Sequence, residues 1–353
     1  GEQKSKPTQH SVKVMSVLGL QPDMIVDRCE NPLLPETKHK NAELCDVPAE
    51  AVISAHNSDD IYKVPLQMEA EGIAKYIMKE MRLFPLEEKK DWDQFVAKME
   101  EVSGSVKVAI VGKYTVGQQC ADPMEDAYLS IRESLKHAGI EAGVRPEIVW
   151  IDAEDLEHGS ADLILREADG ILVPGGFGSR GTEGKIKAVQ YAREMKVPYL
   201  GICFGMQLAV IEYARNVCGL EGAGSTEFGD TPHPVIAILP EQEKIRQMGA
   251  TMRLGNYPAH LLEGSLAHQI YGKTNIVERH RHRYEVNPAY IKPIEEKGMI
   301  FSGRNGDLME ICEIPEHPFF FGSQFHPEMK SRPGKPSPPF LAFVEAMKER
   351  KAK

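Results

Sequence analysis

The chain has 353 residues, 42% apolar and 27% charged, which is enough for two globular domains and excludes a small disulfide-stapled or disordered polypeptide. A formal net charge of −10 argues against a broad nucleic-acid or membrane surface, since binding phosphates needs clustered Lys and Arg; only local basic patches remain open. The six cysteines, at 29, 45, 120, 203, 218 and 312, form no CxxC pair, so neither a zinc site nor a disulfide framework is expected, and a reducing, cytoplasmic setting fits best.

No apolar run reaches the roughly 18 residues of a membrane helix, and no charged segment followed by an apolar core opens the chain. Gly1 stands where an initiating Met would, and the first residues already read as functional sequence, so a fragment of a longer chain is expected. Residues 1 to 80 mix strands and helices: "DMIVDRCE" and "AVISAHN" look extended, and "LQMEAEGIAKYIMKEM" repeats apolar residues at helical spacing. Residues 84 to 104, charged and closed by Ser and Gly, read as a partly helical interdomain linker. From 105 onward "VKVAIVGKY", "PEIVWID" and "ADGILVPGG" are buried strands, with "EDAYLSIRESLKHAGI" a helix between the first two. This alternation predicts an α/β fold with a mostly parallel sheet flanked by helices, whose sites sit at the carboxyl ends of strands. Farther on, "PHPVIAIL", "ATMRLG", "TNIVERHRHRYEVN", "MIFSGRNGDLMEICEI" and "FFFGSQFHPE" look like hairpins and edge strands, and "PPFLAFVEAMKERKA" is a closing amphipathic helix.

The chemistry concentrates in "VPYLGICFGMQLAV". "PYLGI" is a strand and "GMQLAVIEYARNV" a helix, which leaves Cys203 on the turn between Gly201 and Gly205, a nucleophile elbow with Cys in place of Ser. A small buried cysteine is more often core, but the flanking glycines favour the elbow, and a helix N-terminus under the sulfur favours thiolate. The base would be His326 in "GSQFHPEM": Pro327 makes the segment extended, so that Glu328 lies on the same side and orients the imidazole. Gly175 and Gly176 in "ILVPGGFGSRG", with the amide of Phe204, would form an oxyanion hole. The same stretch holds Gly176, Gly178 and Gly181 in GxGxxG spacing, a weak dinucleotide signal because Pro174 precedes it. "YGKT" at 271–274 is not a phosphate loop, since Ala267 replaces the first glycine.

A glycine-rich oxyanion strand, a GxCxG elbow and a late HPE, in this order, resemble the class I glutamine amidotransferases. "GEQKSKPTQHSV" is similar to the nucleotide-binding segment of the CTP synthase family, and "TMRLG", "STEFGD" and "IVERHRHRYEVN" resemble that family's glutaminase half. The resemblance implies a flavodoxin-like glutaminase domain over 105–353, the linker at 84–104, and the end of a synthetase (amidoligase) domain over 1–83. The family's N-terminal phosphate loop and its ATP and Mg2+ sites have no counterpart, and no GxxxxGK[ST] occurs.

The resemblance also implies roles. Cys203, His326 and Glu328 match the triad; Gly176, Phe204, Gly205, Met206 and Gln207 match glutamine contacts, with Glu227 and Arg283 holding the ammonium and carboxylate of L-glutamine. Strand alternation puts Arg279 and Arg281 on the same face as Arg283, so a solvated basic strand or a nucleic-acid patch stays open as a reading of "RHRHR". Lys4, Ser5, Lys6, Pro7, Thr8, Gln9 and Lys40 match UTP- and CTP-holding positions, and His56, Asn57 and Ser58 match a place where the family's backbone contacts ATP. Arg180, Gly181 and Glu183 in "GSRGTEGK" match a lid associated with activation by GTP; a flexible glycine-rich lid is the alternative.

The implied reaction is hydrolysis of glutamine through a glutamyl thioester, with the ammonia passed to UTP activated by ATP. A homotetramer built through the synthetase domain, with no nucleic-acid or membrane partner, is the implied assembly. Two alternatives stand beside it: a glutaminase subunit serving another acceptor, against which the Lys4 to Gln9 segment argues, and a non-catalytic nucleotide-sensing or assembly module.

Overall fold

A computed structural model of the chain describes residues 3–84, 91–113, 128–238 and 252–352. It divides into two compact units, residues 1–97 and 98–353.

In the first unit α1 (Lys6–Val17) is followed by β1 (Ile25–Arg28), α2 (Pro35–Cys45) and β2 (Val52–Ala55). The two strands pair in parallel, Ile25 opposite Val52. Val12, Ile25, Ala42, Cys45, Val52 and Tyr76 form its core. The periodic stretch 66–81, expected as one helix, makes two, α3 (Val64–Ala70) and α4 (Ile73–Glu80). Gly72 lies between them at φ 86°, a left-handed conformation that ends one helix and starts the next. Helix α5 (Asp91–Glu101) runs across the boundary between the units and occupies much of the stretch read as a linker; residues 85–90 of that stretch lie outside the described residues.

The second unit alternates β3 (Ser105–Gly112), α6 (Leu129–Ala142), β4 (Arg145–Asp152), α7 (Ala153–His158), α8 (Ala161–Leu165), β5 (Gly170–Val173), α9 (Thr182–Glu194), β6 (Tyr199–Ile202) and α10 (Phe204–Asn216). Beyond these come β7 (Ala223–Ser225), β8 (His233–Ala237), β9 (Arg253–Leu261), α11 (Leu266–Tyr271), β10 (Asn275–His282), β11 (Glu285–Val286), α12 (Pro288–Glu295), β12 (Ile300–Asn305), β13 (Leu308–Glu313), β14 (Phe320–Ser323) and α13 (Pro338–Ala352). Nine strands form one sheet in the order β10-β9-β12-β13-β14-β6-β5-β3-β4. From β14 to β4 neighbours run parallel; from β13 outward they are antiparallel. Alternation along β3 feeds two cores, one on each face: Ala109 and Val111 join Val189 and Leu208, while Val108 and Ile110 join Leu135 and Phe343.

Two expectations change here. "FFFGSQFHPE" does enter a hairpin, since β14 pairs antiparallel with the preceding β13, but it is no edge: β14 lies between β13 and β6, fully buried, with Phe321 opposite Leu200 and Ser323 opposite Ile202. Strands buried on both faces read as continuous apolar runs, and three successive phenylalanines are that signal. Residues 182–185 of "GSRGTEGK" are not loop but the first turn of α9. That helix buries Ile186, Val189 and Ala192 and starts from Gly181 at φ 67°.

Candidate active site

Cys203 directly follows β6 and precedes the first residue of α10, with φ 52° and ψ −98°. A side-chain-bearing residue in such a region costs about 1–3 kcal/mol and persists only where its surroundings enforce it. Here the Cys203 amide donates to the Ser323 carbonyl at 2.6 Å and the Gln207 amide to the Cys203 carbonyl at 3.2 Å. The turn is tight enough that a Cβ on Gly205 would lie 2.2 Å from the Val173 carbonyl oxygen. A glycine is therefore required there, as the sequence pattern implied.

Because β14 and β6 run parallel side by side, the residues after Ser323 emerge beside Cys203. His326 donates its backbone N–H to the Arg279 carbonyl at 2.7 Å, and its Nδ1 meets Glu328 Oε1 at 2.7 Å. The expected extended segment is instead a short 3-10 turn over Pro327–Lys330. Proline's fixed φ suits the first position of a helical turn, and the turn folds Glu328 back onto the ring. Burial disfavours charge on His326, yet hydrogen bonding and charge from Cys203 and Glu328 outweigh it and push the imidazole up to about 10. The turn is secured from below and beside: Ser134 Oγ donates to the Glu328 carbonyl at 3.3 Å, and Lys330 Nζ donates to the Val277 carbonyl on β10.

Gly175 lies against this pair, since a Cβ on it would sit 2.9 Å from His326 Cε1 and 3.6 Å from Cys203 Cβ. A Cβ on Gly176 would come within 3.9 Å of Phe204, the first residue of α10 after Cys203. The loop that carries Gly175 and Gly176 is pinned: Lys113 Nζ donates to the carbonyls of Phe177 (2.7 Å) and Gly178 (2.6 Å), and the Gly178 amide donates to Glu227 Oε1 at 2.7 Å. Arg180 pairs with Glu154 at 2.8 Å and Glu183 with Arg215 at 2.8 Å, so both charged residues of the expected GTP lid hold intramolecular partners.

Of the expected glutamine contacts, Met206 spends its side chain in the core and offers backbone alone, and Gln207 is buried with its amide donating to the Tyr284 carbonyl at 3.0 Å. Arg279, Arg281 and Arg283 are all exposed, as strand alternation required, and His280 and His282 between them point inward. Those histidines meet each other at 2.9 Å beside a buried Arg253, which bridges Glu285 (3.2 Å) and Glu310 (2.8 Å). Burial, then Arg253 and His326, drive His280 down to about 3, so it is neutral at physiological pH. The sequence reading missed this network; its signal was the strict Arg-His alternation, which forces one residue type inward.

Also missed was Lys185, fully buried with an unpartnered Nζ 5.4 Å from the Phe204 ring centre. Burial first, then Lys113, lowers it to about 7. Helical phase alone could have placed it on the packed face of α9.

In the first unit, Lys4, Lys6 and Lys40 are exposed, Ser5 precedes α1, and Gln9 donates to Ser5 Oγ at 3.0 Å. Pro7 occupies the first turn of α1, and Thr8 and Asn41 both donate to Asp27, each at 2.7 Å. Lys4, Thr8, Asp27, Arg28 and Asn41 line a cavity of about 440 Å³. His56, Asn57 and Ser58 follow β2, with Asn57 Oδ1 accepting from Arg28. Among the described residues no group of three or more His, Cys, Asp or Glu side chains is arranged to hold a metal ion.

Residues 124–346 match the family Glutamine amidotransferase class-I, and residues 1–83 match CTP synthase N-terminus. A CTP synthase of Methanothrix thermoacetophila is 76% identical over 348 residues, covering 99% of this chain and 64% of the relative. That of Archaeoglobus fulgidus is 56% identical over 349 residues, covering 98% and 64%. The chain thus spans 64% of the length of these curated relatives. Among solved structures, the Trypanosoma brucei CTPS glutaminase domain with bound acivicin superposes with a TM-score of 0.64 at 39% identity, covering 69% of this chain and 94% of that one. With the elbow, the His326–Glu328 pair and the glycine loop assembled at the carboxyl ends of three neighbouring central strands, these matches show that the chain belongs to the CTP synthase family and carries its class-I glutamine amidotransferase fold.

Proposed function

We propose that residues 105–353 hydrolyse the side-chain amide of L-glutamine. The observation that carries the reading is Cys203 strained onto the elbow with His326 and Glu328, 2.7 Å apart, delivered beside it by the neighbouring parallel strand. The Cys203 thiolate attacks the amide carbon while the amides around Gly175, Gly176 and Phe204 receive the developing oxyanion. His326, held protonated by Glu328, gives its proton to the departing nitrogen, and water then cleaves the thioester with His326 as base. Gly176, Phe204–Gln207, Glu227 and Arg283 position the amino acid. A zwitterion needs one fixed charge of each sign, and Glu227 has one carboxylate oxygen engaged with the Gly178 amide in the resting loop.

The products are glutamate and ammonia. In the whole protein the ammonia aminates UTP to CTP in an ATP-dependent step, with residues 1–83 belonging to the synthetase domain and 84–104 linking it to the glutaminase. Lys4–Gln9 and Lys40 would hold UTP or CTP, and His56–Ser58 would contact ATP; lysines suit triphosphate oxygens as point-charge partners. Magnesium would accompany ATP, but the described residues do not offer a carboxylate cluster for it, and no step above involves it. GTP would act through Arg180, Gly181 and Glu183, and the assembly would be a cytoplasmic homotetramer. Glutamine hydrolysis by this chain and by Cys203→Ala, with and without GTP, tests the reading. Turnover that vanishes in the variant supports it, and turnover that survives in the variant removes Cys203 from the mechanism.

A further inference from the structure

One buried polar side chain lies against the sulfur without a role in the scheme above. Gln324 directly follows β14, is fully buried, and has its amide nitrogen Nε2 3.8 Å from Cys203 Sγ. Which end of that amide faces the sulfur is decided by its neighbour. Gln207 of α10 directs its NH2 at the backbone carbonyl of Tyr284 (3.0 Å), a group that only accepts. The same NH2 reaches the Gln324 amide at 3.2 Å, so the atom it meets must be the acceptor Oε1. Gln324 is thereby left with its NH2 toward Cys203. Its own backbone is fixed too, by the Gln324 amide donating to the Glu310 carbonyl at 2.8 Å.

The sulfur thus lies between an acceptor and a donor. The Arg281 carbonyl, 3.9 Å away, accepts a hydrogen bond from the thiol; the Gln324 NH2 can only donate one to the sulfur, and so it favours thiolate. We propose that Gln324 is a further catalytic residue, whose side-chain amide donates a hydrogen bond to the Cys203 thiolate and holds the sulfur charged ahead of attack.

The catalytic consequence rests on the glutaminase reading; the hydrogen bond to sulfur does not. In acylation the sulfur lone pair forms the S–C bond, the C–N bond breaks, and the nitrogen leaves as ammonia with the proton from His326. Stabilising thiolate lowers its intrinsic nucleophilicity by less than it raises the reactive fraction, because the nucleophilic response to basicity is only about one half. At neutral pH the net effect is faster attack. The other titratable and charged groups packed around this corner include His326 backed by Glu328, His280 and His282 of β10 with Arg253, Glu285 and Glu310 behind them, and Lys185 of α9 against Phe204. All are unchanged in the variants below.

The test uses the full chain with Gln324→Met, which keeps the shape without the donor, and Gln324→Glu, which turns an acceptor to the sulfur. Alkylation of Cys203 by iodoacetamide is followed against pH by peptide mass spectrometry without glutamine, and circular dichroism confirms that each variant is folded. Gln324→Met is expected to alkylate about tenfold more slowly at neutral pH, its profile displaced upward by about one pH unit, with a larger displacement for Gln324→Glu. A packing role alone would lower the melting temperature and leave the profile in place. Folded variants with the parent's profile would overturn the proposal. If the variants shift the profile while the parent hydrolyses no glutamine, the glutaminase reading fails and the Gln324 hydrogen bond stands. If the parent hydrolyses glutamine and the profiles coincide, only the Gln324 proposal fails.

Discussion

The two candidate ligand regions of this chain are built in opposite ways. Around Cys203 the reacting groups are placed by neighbouring strands and turns: Ser323 holds the elbow, Arg279 holds His326, Glu328 orients it, and Gln207 orients Gln324. Around Lys4 the cations are exposed, and the polar groups beneath them, Thr8, Asp27 and Asn41, bond to one another. In the first region the reacting groups are buried and fixed from neighbouring elements, whereas in the second the charge is left in solvent. The first carries its geometry into any variant that still folds; the second acts only when a ligand arrives.

Substitutions in the two regions should therefore differ in size and in kind. The largest effect is expected at Cys203, where Cys203→Ala should reduce ammonia release from glutamine to background while circular dichroism stays native. At the elbow, Gly205→Ala forces a methyl to within 2.2 Å of the Val173 carbonyl, a backbone atom that cannot step aside. A loss of about 3 kcal/mol or more in urea unfolding is expected, and a loss under 1 kcal/mol would show that the turn is looser than described.

Next is Glu328→Gln, which keeps the shape and removes the charge. Turnover should fall by about 10² to 10⁴, as when the orienting carboxylate of a triad is neutralised. The pH dependence follows the sign of the His326 shift, from an ordinary 6.5 up to about 10. The stabilisation is fully present below about pH 6.5 and is lost as pH rises through about 10. The urea midpoint of the parent should drop between pH 7 and 10.5, and that of Glu328→Gln should drop less. Smallest is the exposed region: Lys4→Ala should weaken CTP binding by about tenfold, a charge-assisted contact in solvent, as read by calorimetry. A loss as large as at the triad would mean that Lys4 becomes buried around its ligand.

The same contrast explains what could be read from the residues. The elbow was legible because Gly205 faces a backbone carbonyl, a constraint that shows in one letter. His326 was legible as a residue but not as a conformation, because proline suits both an extended segment and the first turn of a helix, and tertiary packing chose the turn. Gln324 stood in a quoted motif and passed unread: a glutamine at a strand end carries no local sign of the sulfur, which comes from β6, more than a hundred residues earlier. The start of α9 was hidden by the glycines before it, and the break between α3 and α4 by apolar periodicity that continues across Gly72. The histidines of β10 were seen beside the arginines, but which set faces inward depends on pairing with β9.

The central claim, that Cys203 forms a covalent bond to the glutamyl carbon with His326 and Glu328 as its proton machinery, is tested most directly by acid-quenching the chain during glutamine turnover and locating the acyl group by mass spectrometry. A glutamyl adduct on the Cys203 peptide, removed by neutral hydroxylamine, is the expected result, with less adduct formed in Glu328→Gln. Ammonia release with no adduct on Cys203, or with an adduct on another residue, would contradict the account.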